Sequence, residues 1–113
     1  MARRLDASER ELFTHVPARD LRRARLVVVP VLTPGIAGIT LGRWILVRRG
    51  HGHDHDLIAR ELVHVRQWRE LGAVRFLVRY LGAYMRSRWR GLSHQAAYEA
   101  IPLEVEARAL ARS

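Results

Sequence analysis

The chain has 113 residues, 49% of them hydrophobic and 27% charged, proportions that suit one folded domain and exclude an intrinsically disordered chain. It has no cysteine, which excludes disulfides and thiolate metal sites, so any metal must be held by His and carboxylates. The formal charge of +9 points toward anionic partners, but all 20 basic residues are Arg and Asn is absent, a bias that a GC-rich genome produces without any function.

The start, MARRLDASERELF, places charges where a signal peptide needs an apolar core, so a cytoplasmic protein is expected. Residues 1–25 are polar and basic and read as an N-terminal extension, with a short helix around Ser8 to Phe13, ahead of a main domain at 26–113. The stretch Leu26 to Val47, LVVVPVLTPGIAGITLGRWILV, has the length of a membrane span. Its prolines, glycines and Arg43 break that pattern, and its β-branched residues fit two strands and a turn instead. The first strand is Leu26 to Leu32 and Thr33-Pro34-Gly35 is the turn. The second runs from Ile39 to Arg48, with Gly42 as a bulge. A polar loop, RGHGHDHD, follows over 49–56.

From Asp56 the apolar period changes from two to about 3.6. Asp56 is the expected cap of a helix from Leu57 to Leu71, and Gly72 ends it. Ile58, Leu62 and Val65 form an apolar stripe that Ala59 and Val63 widen, whereas Arg60, Glu61, His64 and Gln67 or Trp68 share another face. So broad an apolar surface predicts a helix at the centre of the fold. A second helix is expected over Ala73 to Trp89, its aromatic stripe in the core and its arginines in water. A short helix capped by Ser93 follows, and Pro102 opens a last helix that ends at Ala111. Strands followed by helices predict an α+β domain.

On the central helix, Glu61 lies beside His64 and Arg60 stands one turn before it. Two His at i and i+4 can reach one zinc, with a Glu between them activating the bound water, and zinc brings that water's pKa to about 7. Here only the second His is present. An arginine in the first position cannot ligate, because its guanidinium stays protonated and offers no lone pair. Lying in such a pocket, Arg60 could instead pair with Glu61 or Glu104, and its loss would then destabilise the domain.

Two stretches carry a resemblance. Leu57-Ile58-Ala59-Arg60-Glu61-Leu62-Val63-His64-Val65-Arg66-Gln67 resembles the active-site helix of small zincin-like metallopeptidases, typically H-E-L-x-H-x-x-Q. Tyr98 to Ala107, YEAIPLEVEA, resembles the downstream helix of the gluzincin branch, in which a Glu supplies a zinc ligand. The resemblance covers roughly residues 26 to 111. It implies a minimal zincin-like domain, a short β-sheet packed on a central active-site helix with further C-terminal helices. It also implies peptide hydrolysis by zinc-activated water, with Glu61 as general base, His64 as one zinc ligand and Glu104, or alternatively Glu106, as another. Arg60 departs from the pattern at the first ligand, and Arg108 departs at the partner acid of an E-x-x-x-D form. The alternatives are a catalytically silent relative that binds a peptide or protein, and a basic adaptor for anionic membrane or nucleic acid.

His53 or His55 could replace the missing ligand if the loop folded back. HGHDHD also approaches the H-x-H-x-D-H pattern of metallo-β-lactamase-like hydrolases, but the order of the last residues is wrong and the chain too short. Tyr98 and His94 are candidate oxyanion donors. The helix at 73–89 combines aromatics with Arg and could rest on an anionic membrane. No nucleic-acid motif is present.

Overall fold

The computed structural model describes residues 2–33 and 35–112. The described residues form a mixed α+β domain in which a four-stranded sheet packs with six helices. The strands are β1 (Ala2–Arg4), β2 (Arg25–Val29), β3 (Gly38–Leu41) and β4 (Trp44–Arg48), in the sheet order β1-β2-β4-β3. β2 and β4 run parallel, Leu26 opposite Ile45, while β1 and β3 join antiparallel as the two edges. The apolar stretch read as two strands therefore holds three. Gly42 is not a bulge; with Arg43 it makes a two-residue turn between Leu41 and Trp44, adopting φ +66, the left-handed conformation that glycine tolerates.

The segment read as an N-terminal extension supplies β1, α1 (Ala7–Leu12) and α2 (Ala18–Arg23). Its Leu5, Phe13, Val16, Leu21 and Ala24 enter the same buried cluster as the central helix. One ion pair joins two of its own residues, and a second ties it to the central helix. Arg3 grips Glu9 with bonds of 2.7 and 3.0 Å, and Arg69 holds the fully buried Asp20 at 2.6 and 2.9 Å. The helix around Ser8 forms as expected, closed by a capping box between Asp6 and Glu9.

α3 (His55–Leu71) is the central helix. Ile58, Leu62 and Val63 are fully buried, and β3, β4, α4 and α6 all pack against it. Its cap is Asp54 rather than Asp56: the Asp54 carboxylate accepts from Leu57 N at 3.2 Å, and Asp56 lies in the first turn. Gly72 ends the helix at φ +80 and turns the chain directly into α4 (Ala73–Trp89). α5 (His94–Glu99), capped by Ser93, and α6 (Pro102–Ala111), with Pro102 in its first turn, complete the chain. β3 lies so close to α3 that a Cβ on Gly38 would meet Leu57 Cδ1 at 3.2 Å. α4 departs from expectation, because Phe76 is its one buried residue while Val74, Val78, Leu81, Met85 and Trp89 face solvent. No helix among the described residues is long and apolar enough to cross a membrane.

Candidate functional site

The inner face of α3 opens onto a cavity of about 400 Å³ walled by β3, α4, α5 and α6. Glu61, His64 and Glu104 all line it, and all three are buried. The spacing on α3 turns Glu61 and His64 to one side. α6 delivers Glu104 opposite them, since its Pro102 start fixes where the first turn begins. The remaining wall is largely apolar, with Ile39 and Leu41 on β3 and Leu77 and Leu81 on α4.

His64 is held from both ring nitrogens. Gln67 Nε2 donates to Leu103 O at 3.0 Å and to a Glu106 carboxylate oxygen at 2.9 Å. With its amide nitrogen so assigned, Gln67 presents Oε1 to His64 Nδ1 at 2.6 Å, and that ring nitrogen must therefore carry the proton. Nε2 then faces the cavity, 3.1 Å from Glu104 Oε1. That short contact is ionic rather than an aligned hydrogen bond, because the Nε2 ring direction does not meet the carboxylate oxygen and Nε2 has no aligned partner. The other Glu104 oxygen accepts from the Tyr80 hydroxyl. On Glu61, Oε2 accepts from the Thr40 hydroxyl at 2.7 Å.

These contacts set the charges. Burial works against the imidazolium, but Glu104, Glu61 and the Gln67 bond together hold His64 above its ordinary range. Burial pushes Glu104 upward too, yet the His64 contact and the Tyr80 hydroxyl prevail and hold it low. Both shifts favour the charged forms, imidazolium on His64 and carboxylate on Glu104. Glu61 goes the other way: burial raises it, opposed only in part by His64 and Thr40. Burial and the nearby carboxylates raise Tyr80 and Tyr98 as well, so both remain neutral donors.

The structure brings Glu61, His64 and Glu104 to the wall of one cavity. It separates Glu106, which lies outside the cavity and supports Gln67 and Arg66 instead, at 2.9 and 3.1 Å. Arg60 is half-buried and does not line the cavity. Among the described residues no ion pair joins it to Glu61 or Glu104, so the expected guanidinium bridge is absent. His55 packs edge-on against Phe13, and His53 lines a separate hollow beside Val28, so neither supplies the missing ligand. Tyr98 and His94 both line the cavity, and His94 Nδ1 meets the Tyr84 hydroxyl at 2.8 Å.

A metal would have His64 and Glu104 as its donors, and that set is too small. Among the described residues no group of three His, Asp or Glu side chains is arranged to hold a metal ion. Nε2 would be a suitable ligand atom only after losing its proton, and position 60 offers nothing beside it. Thr40, Gln67 and Tyr80 were not singled out as site residues from sequence. Gln67 carried a signal, one turn after His64 in the motif. Thr40 and Tyr80 carried none, since only the fold brings them to the carboxylates. Comparison with protein-family models, curated proteins and solved structures finds no match for this chain.

Proposed function

We propose that this is a zincin-like protein whose cleft binds an extended peptide and whose metal chemistry has been replaced by an internal ion pair. One observation carries the reading: Glu104, the carboxylate that the gluzincin pattern would commit to zinc, is already engaged by Tyr80 and by His64. With Arg60 outside the cavity, the imidazolium takes the position of the cation.

The peptide groove follows from β3, which is an edge strand bordering the cavity. In its antiparallel ladder with β4, Gly38 and Thr40 turn their backbone groups outward, and Trp68 Nε1 takes the Thr40 carbonyl at 3.2 Å. The Thr40 N–H and the two backbone groups of Gly38 are the edge that an added strand would meet. Alternate side chains of that strand would enter the apolar cavity, where Trp68 stacks on Phe76 with ring centroids 4.3 Å apart.

The test is a titration with a blocked peptide of alternating Leu and Ser residues, followed by Trp68 emission in a Trp44→Phe, Trp89→Phe background. Saturable binding that a chelator leaves unchanged, and that Leu41→Asp weakens at least about tenfold, is expected. Failure to bind, or binding indifferent to Leu41→Asp, would remove the groove.

A second reading has a specific observation behind it. The unaligned Nε2 of His64, 3.1 Å from Glu104 Oε1, suits two ligands turned toward a shared cation. On that reading Glu61, on the same cavity wall, would be the general base. Proteolysis abolished by Glu61→Gln would favour it.

A further inference from the structure

α4 has three faces, and only one of them is buried or half-buried against the rest of the molecule. At about 100° per residue, Phe76, Tyr80, Ala83 and Ser87 fall together on the inward side, where they are buried or half-buried. Leu77, Leu81, Val74, Met85, Val78 and Trp89 form an adjoining strip about 120° wide. That strip faces solvent, with exposures of 75% at Val74, 66% at Val78, 63% at Met85 and 93% at Trp89. The third face is a row of guanidinium groups, Arg75, Arg79 and Arg86, continued by Arg90 at the C-cap, within about 60° of one another. α4 contains no acidic residue, and among the described residues none of these four arginines pairs with a carboxylate.

A shallow groove runs beside that row, between α4 and the start of α6. Its walls are Arg79, Arg86 and Pro102, with Gly82 and Ala83 between them. Small residues at 82 and 83 leave the two guanidiniums room to close on one anionic group from both sides. The apolar strip is continuous on its other side with the mouth of the cavity, because Leu77 and Leu81 belong to both.

We propose that α4 is a docking surface for an anionic lipid bilayer. The helix lies in the plane of the interface, with the apolar strip among the acyl chains and the arginine row at the phosphates. A side-by-side arrangement of apolar strip and cationic row, with an interfacial Trp at one end, matches a membrane surface in both polarity and charge. It does not match a second copy of the chain. Pairing two such faces antiparallel about a twofold axis would set the arginine rows side by side with no carboxylate on either helix, and pairing them parallel would leave both rows without a partner. Arg88 falls within the strip near its end, where it reaches the Leu92 carbonyl at 3.3 Å rather than the core. Docked in this way, the molecule holds the mouth of its cavity at the bilayer surface. The docking claim does not depend on what the cavity does.

The test is co-sedimentation of the full chain with phosphatidylcholine vesicles, with and without about one-third phosphatidylglycerol, at low and high salt. Partitioning at least about tenfold stronger onto the anionic vesicles is expected, falling about tenfold as salt rises, with a blue shift of emission that Trp89→Phe removes. The double variants Val78→Glu/Met85→Glu and Arg75→Glu/Arg79→Glu should each lose about tenfold in partitioning, with thermal unfolding unchanged because all four side chains are exposed. Glu61→Gln and Arg60→His should bind vesicles like the wild type, so the cleft reading and the membrane reading fail separately. Equal binding to both vesicle types, or double variants that still bind, would overturn the proposal. So would a concentration-dependent dimer in sedimentation velocity that Val78→Glu/Met85→Glu dissociates, since the strip's occupant would then be a second copy.

Discussion

His64 shows how one side chain takes its character from its neighbours. Gln67 fixes the proton on Nδ1, and Glu104 then faces Nε2 at 3.1 Å in a buried setting. The pH dependence of stability follows from the directions of the shifts. His64 is raised above 6.5, so the stabilisation it brings is fully present below that value and is lost as pH climbs through its folded pKa. Glu104 is lowered below 4.5, so its contribution is present above that value and fades as pH falls through its folded pKa. Glu61 is raised above 4.5, and ionising it costs more in the folded state, which also erodes stability as pH rises. The pair is therefore worth most between these two ordinary values. The urea midpoint of wild type minus that of His64→Gln should be larger at about pH 5.5 than at about pH 8.5. A difference that stays constant or grows with pH would show that His64 is not an imidazolium in the folded protein.

At the scale of elements, the caps decide where the site forms. α3 begins at His55 because the Asp54 side chain holds Leu57 N, and that start sets the rotation that carries Glu61 and His64 into the cavity. Asp54→Ala should cost about 1 kcal/mol in chemical denaturation, and Asp56→Ala clearly less. Equal losses would mean that the capping assignment is wrong. Much of this level was legible in the sequence. The bounds of α4 to α6 followed from Gly72, Ser93 and Pro102, and the long apolar face of α3 announced a central helix. What escaped did so for physical reasons. β1 is three residues long and sits among arginines, so no alternation marks it. The Gly42-Arg43 turn lacks the Asn-Gly signature of a tight hairpin. The α4 stripe had the period of a core helix, and nothing local told that the apolar strip beyond Phe76 would be left uncovered. The motif puts Arg60 where a bridging cation would lie. Its half-buried position outside the cavity is a property of the packed helices, not of the motif.

The whole molecule assembles one chamber from parts far apart in the chain. β3 supplies an edge and Thr40, α3 supplies Glu61, His64 and Gln67, α4 supplies Tyr80 and an apolar rim, and α6 supplies Glu104. The two sequence stretches that resemble zincin helices are the two that meet here, which is as much of the site as sequence spacing could carry. The residues that complete the hydrogen bonding came from elsewhere. On the proposed reading, His64 and Glu104 balance each other without a metal because position 60 is arginine. Elemental analysis of untagged protein, wild type beside Arg60→His, tests it most directly. No stoichiometric zinc is expected in the wild type, with a gain toward about one zinc per chain in Arg60→His, where an imidazole one turn before His64 replaces a side chain that cannot ligate. About one zinc per chain tightly held by the wild type would contradict it.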